Sequence, residues 1–205
     1  MKYSSTTASV LLLLSVPLTA LSQDRSLQLT TEIISQRYCA AGPDVNTMQL
    51  RLRLRYTNTG DQKLIIYKGD KLYYRTVISR HQAEAPIKKY DVDLIHARYS
   101  DGQTEHIEGP SPTKAFIILR PGSIHQIEQT VSVPVMRTTN RRIDGALEAG
   151  EHTVRVTVST WYESKQLAEA LRERWQRNGF LWTNTVASIP VRFIVNRQNQ
   201  VSPCQ

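Results

Sequence analysis

From Met48 to Thr57 the chain reads MQLRLRLRYT, and its side chains sort by parity. Met48, Leu50, Leu52, Leu54 and Tyr56 take one side, and Gln49, Arg51, Arg53, Arg55 and Thr57 take the other. Successive side chains of a strand point to opposite faces of a sheet, so this stretch predicts a strand with one buried and one wet face. The turn chemistry of NTGD, residues 58–61, precedes a second apolar run, KLIIYKG, and predicts a hairpin between the two.

The same repeat dominates the rest of the chain. SLQLTTEIISQRYC, YYRTVIS, YDVDLIHARY and KAFIIL read as strands, and LRPGS, residues 119–123, as a Pro-Gly turn. After that turn Ile127, Val131, Val133 and Val135 share a parity that Ile124 breaks, as a bulge would. EHTVRVTVSTW sets Val154, Val156 and Val158 on one face. VASIPVRFIV alternates Ala187, Ile189, Val191, Phe193 and Val195 with other residues, and its Pro190 assigns it to a sheet edge or a bulge. Eight or nine short strands separated by turns predict an all-β fold of two antiparallel sheets packed face to face.

The order LRLRYTNTGDQKLIIY, ILRPGS, LEAGEHTVRVTVSTW and SIPVRFIV resembles the central and final strands of immunoglobulin-like and fibronectin type III-like extracellular domains. The resemblance is one of pattern, covers roughly 100 residues, and implies an Ig-like β-sandwich. The chain departs from it at His152, which stands where such domains often hold a corner tyrosine. A fold analogy of this kind carries no function by itself.

One segment has a different period. In SKQLAEALRERWQRNG, residues 164–179, Leu167, Leu171 and Trp175 recur every fourth position, which places them on one helical face. Ser164 is a suitable N-cap, Asn178-Gly179 a suitable stop, and Arg172, Arg174 and Arg177 suit the negative end of the helix dipole. The sequence therefore predicts an inserted amphipathic helix near residues 164–178. Its apolar face can either cover the sandwich or offer Trp175 to a partner.

The amino terminus, MKYSSTTASVLLLLSVPLTALSQ, couples Lys2 to an apolar run from Ala8 to Val16 and then to the small residues Ala20 and Ser22. That is the layout of a secretory signal, with cleavage expected before Gln23 and a single domain expected over residues 23–205. The run is shorter than the roughly 20 residues of a membrane-spanning helix, so no transmembrane segment is expected after cleavage. A secreted or periplasmic location follows. In such an oxidising compartment the chain's two cysteines, Cys39 and Cys204, are expected to form a disulfide, with two separate thiols as the alternative.

The charge balance, 26 Lys and Arg against 18 Asp and Glu, concentrates its excess between residues 51 and 89. That segment holds ten cations against Asp61, Asp70 and Glu84. If its strands lie side by side they form a basic face able to attract an anionic envelope polymer or an acidic protein. Arg51, Arg53, Arg55, Lys63 and Arg75 are then the candidate anion-binding residues. The alternative is a solvated face that discourages edge pairing. Export and the lack of interleaved aromatics argue against nucleic acid as a partner.

Catalytic patterns are weak. His81, His96, His106, His125 and His152 are scattered, Asp91 and Asp93 share a strand face without a donor loop, and SPTK, Ser111 to Lys114, has the wrong context for an acylating serine. No cofactor or metal is expected. Two classes remain: a non-catalytic binding or scaffold module, extending to a proteinase-inhibitor-like sandwich, and a hydrolase with a dispersed site around His96, His106 and Asp93.

Overall fold

The computed structural model describes residues 26–68, 72–80, 92–97, 116–137, 145–162, 164–197 and 201–204. The signal-like segment 1–22, His81, Asp91, His106 and the SPTK segment lie outside the described residues.

The fold is an all-β sandwich with one helix among the described residues. Its first sheet places β2 (Val45–Asn58) between β1 (Leu27–Ala40) and β7 (Ile124–Met136), all antiparallel. The second sheet runs β5 (Val92–Ala97), β4 (Leu72–Arg80), β8 (Gly150–Thr160), and both β10 (Thr185–Ala187) and β11 (Val191–Val195) pair with β8. Inward-facing rows from both sheets share one core. Leu50, Leu52, Leu54 and Tyr56 from β2 meet Tyr74 and Ile78 from β4 and Val154, Val156 and Val158 from β8. The Tyr56 and Tyr74 hydroxyls bond across that core at 2.9 Å, satisfying two polar groups that burial would otherwise penalise.

A third, small sheet departs from the expected two-sheet plan. β3 (Leu64–Tyr67) lies between β6 (Phe116–Leu119), antiparallel, and β9 (Phe180–Leu181), parallel. All four residues of β3 are buried, because the strand is covered on both faces. Leu64 and Ile66 join the main core, while Ile65 and Tyr67 pack beneath the helix α1 (Lys165–Trp175).

The hairpin expected between β2 and β3 is therefore absent. Asn58 is the reason. Its buried side chain donates to the carbonyls of Gln62 and Leu119 and accepts from the Gly60 amide, steering the chain out of the first sheet and into the third. Gly60 permits the approach, since a Cβ there would stand 2.7 Å from the Ser26 Cβ.

Two further expectations are corrected. The pairing of β7 with β2 shifts nowhere, so Ile124 makes no bulge and simply faces outward; the irregularity lies in β1, between Ile33 and Ser35. The alternation proposed through Ile189 also fails. Pro190 separates β10 from β11 on the edge of β8, and Ser188 turns inward in place of Ile189, its hydroxyl accepting from the Val156 amide.

Cys39 and Cys204 are joined by a disulfide, with their Cα atoms 4.8 Å apart. Backbone bonds from Ala40 to Ser202 and from Cys204 to Ala40 lay the tail against the end of β1. No helix among the described residues is long and apolar enough to cross a membrane.

Candidate functional site

The five candidate anion-binding residues do not converge. Arg51, Arg53 and Arg55 project from β2 in the first sheet, Lys63 is exposed at the entry to β3 in the third, and Arg75 stands on β4 in the second. A single basic face built from them is thereby excluded, because β2, β3 and β4 are not neighbours.

The arginine ladder is also matched from its flanks. In register with Arg53 stand Glu32 on β1 and Glu128 on β7. Glu128 bridges Arg51 and Arg53, the latter at 3.2 Å, and Glu32 bridges Arg53 and Arg55 at 3.4 and 3.2 Å. Three cations and two anions thus form one continuous chain across three strands. Hydrogen bonding from Arg53 is the largest influence on the Glu128 carboxyl, and with the help of Arg51 it outweighs desolvation and holds the group below the usual glutamate range.

Arg75 is engaged in the same way. Its guanidinium grips Asp93 on β5, with Nε 2.9 Å from Oδ1. This hydrogen bonding holds the Asp93 carboxyl below the usual aspartate range, which makes it a poorer base for the dispersed hydrolytic site considered above. His152 is buried against Phe193, with Nδ1 3.1 Å from the Gly150 carbonyl, and His125 lies beside the Tyr56 ring. Among the described residues no group of three or more His, Cys, Asp or Glu could hold a metal.

Trp175 requires a second correction. It is 6% exposed, its ring stacked on Tyr67 at 5.7 Å and set edge-on to Phe116 at 4.8 Å. Four-residue spacing delivers Leu171 and Trp175 to the outer face of the third sheet, so the indole is core and is not presented to a partner.

A different place gathers polar groups around an aromatic. Where β8 ends, the chain passes through Trp161 and Tyr162 into the Ser164 cap, whose hydroxyl accepts from the Leu167 amide at 3.1 Å. An open cleft of ≈ 390 Å³ lies between this passage, the first turns of α1 and the β9–β10 connection. Its walls include Trp161, Lys165, Glu169, Arg172, Thr183 and Asn184. Trp161 is 56% exposed.

Arg172 is fixed in this wall from three directions. Nε donates to the Leu181 carbonyl at 3.2 Å, Nη2 donates to the Thr183 hydroxyl, and the guanidinium carbon lies 4.9 Å from the centre of the Phe180 ring. Lys165 and Glu169 face each other loosely at 3.9 Å, one helical turn apart. In sequence alone, Arg172 suits the helix dipole and Trp161 closes a strand run. The signal that marks the cleft is an aromatic placed between the last strand residue and a helix cap, a position with no sheet face to bury it.

No protein-family model matches the chain, and no curated protein does. Among solved structures it is similar to Bacteroides uniformis beta-glucuronidase 2 covalently bound to cyclophellitol-6-carboxylate aziridine, at 12% identity and a TM-score of 0.33. The likeness covers 82% of this chain and 13% of that enzyme, and at that TM-score it bears on neither fold nor activity.

Proposed function

We propose that this chain is an exported, non-catalytic, immunoglobulin-like binding or scaffold module for an anionic envelope component, and that its ligand surface is the cleft beside α1. The observation that carries the reading is Arg172: a guanidinium anchored by Leu181, Thr183 and Phe180 beside the exposed indole of Trp161. Groups held in place before a ligand arrives lose little entropy on binding, which is what separates a recognition site from a charged surface. The arginine ladder differs in its partners: Glu32 and Glu128 are carboxylates that offset much of its charge, whereas Arg172 is anchored by neutral groups. Export is supported by the signal-like amino terminus and by a disulfide of the kind that persists in oxidising compartments.

Retention of the mature protein on immobilised anionic envelope polymer, at low and moderate salt, tests the assignment. Trp161→Ala and Lys165→Glu are expected to reduce retention, while the triple change of Arg51, Arg53 and Arg55 to Gln leaves most of it. Loss with the triple variant and persistence with the cleft variants would return the site to the ladder.

A further inference from the structure

Building on the reading of the cleft as the ligand surface, we propose that its ligand is an acidic saccharide, a sugar unit bearing one carboxylate. Three features of the cleft converge on that chemistry. Trp161 places a half-exposed indole at the rim, apolar surface against which the C–H groups of a pyranose can pack. Arg172 can take a carboxylate end-on, through Nη1 and the remaining N–H of Nη2, the edge that its anchoring bonds leave open. Nε and Nη2 are held by the Leu181 carbonyl and the Thr183 hydroxyl, and Nη1 has no hydrogen-bond partner among the described residues. The rest of the wall, Thr183 and Asn184 included, is rich in hydroxyl and amide groups suited to sugar hydroxyls.

Charge favours an anion. Among the described residues of the wall, the cations Lys165 and Arg172 stand against one carboxylate, Glu169. The positive end of the α1 dipole, capped by Ser164, lies on the same rim and adds to the attraction. A volume of ≈ 390 Å³ falls at the lower end of the roughly 300–1,000 Å³ typical of small-molecule sites, which favours one or two sugar units of a longer polymer.

Titration of the mature protein with tri-galacturonate, with neutral galactotriose as control, tests the inference. Intrinsic fluorescence supplies the readout, because Trp175 and Trp182 are buried and Trp161 is the exposed indole. Tri-galacturonate is expected to bind at least about tenfold more tightly than galactotriose, the scale of one charge-assisted contact. Lys165→Glu is expected to reduce that preference. Trp161→Ala, a surface change that spares the core, is expected to abolish binding measured by calorimetry. Arg172→Lys, which keeps the charge and loses the fork, is expected to weaken the acidic ligand more than the neutral one.

Equal affinity for the two oligosaccharides overturns the proposal, as does binding indifferent to Trp161→Ala. If neither sugar binds while retention on envelope polymer still depends on Trp161, the saccharide class falls and the cleft assignment stands. If that retention is also indifferent to Trp161, both fall.

Discussion

At the scale of single residues, the two exposed-versus-buried tryptophans of the helical region divide the labour. Trp175 closes the small core formed by Ile65, Tyr67, Phe116, Leu171 and Leu181, whereas Trp161 stands outside it. Replacing Trp175 by Ala should cost about 3–5 kcal/mol, the usual range for a large aromatic lost from a core, read as a drop in the denaturation midpoint. Trp161→Ala should leave that midpoint nearly unchanged. Gly179 is the other residue on which α1 depends. Its φ is 142°, and a Cβ there would meet the Lys63 carbonyl at 2.7 Å, the carbonyl that accepts from the Phe180 amide. Gly179→Ala should therefore destabilise by about 1–3 kcal/mol, measured by chemical denaturation, because strain and a displaced β3–β9 pairing act together.

Among the elements, the first sheet illustrates what a ladder of like charges needs in order to lie flat. Arg51, Arg53 and Arg55 share one face of β2, and the strands on either side supply Glu32 and Glu128 at the register of the middle arginine. The folded Glu128 carboxyl is held below its ordinary value. A group depressed in this way stabilises the fold above its unfolded pKa, and that contribution disappears as pH falls through the folded one. Asp93, depressed by Arg75, acts with the same sign on the second sheet. The thermal midpoint should thus hold steady from neutral pH down to about 5 and fall below it. Glu128→Gln should flatten part of that fall, and a fall of unchanged steepness would show the bridge to be without energetic effect. Moderate salt should weaken the same pairs, which are exposed and open to screening.

For the molecule as a whole, alternation made the strands legible while pairing was not. Period two in β2, β7 and β8 identified each inward row, and four-residue spacing with Ser164 identified α1. What alternation cannot encode is which strand lies beside which. LIIY, an unbroken apolar run after a turn, resembles half of a hairpin, although its lack of a polar face marks a strand covered on both sides. The bridging role of Glu32 and Glu128 was hidden for the same reason, since each lies far along the chain from the arginines it meets. The cleft was hidden because its walls come from β8, α1 and the β9–β10 connection, joined only by tertiary packing.

The Cys39–Cys204 disulfide operates at this scale as well. It closes a loop of 165 residues' separation, worth about 5 kcal/mol in the chain-entropy model. Reduction, or Cys204→Ser, should lower the unfolding midpoint substantially without changing the β content seen by circular dichroism.

The proposed binding of an anionic envelope polymer in the α1 cleft is tested most directly by amide chemical-shift mapping of the protein during titration with that polymer. The largest shifts are expected to cluster at Trp161, Lys165, Arg172 and Thr183, with those of Arg51, Arg53 and Arg55 small. Shifts concentrated along β2, with the α1 cleft silent, would contradict it.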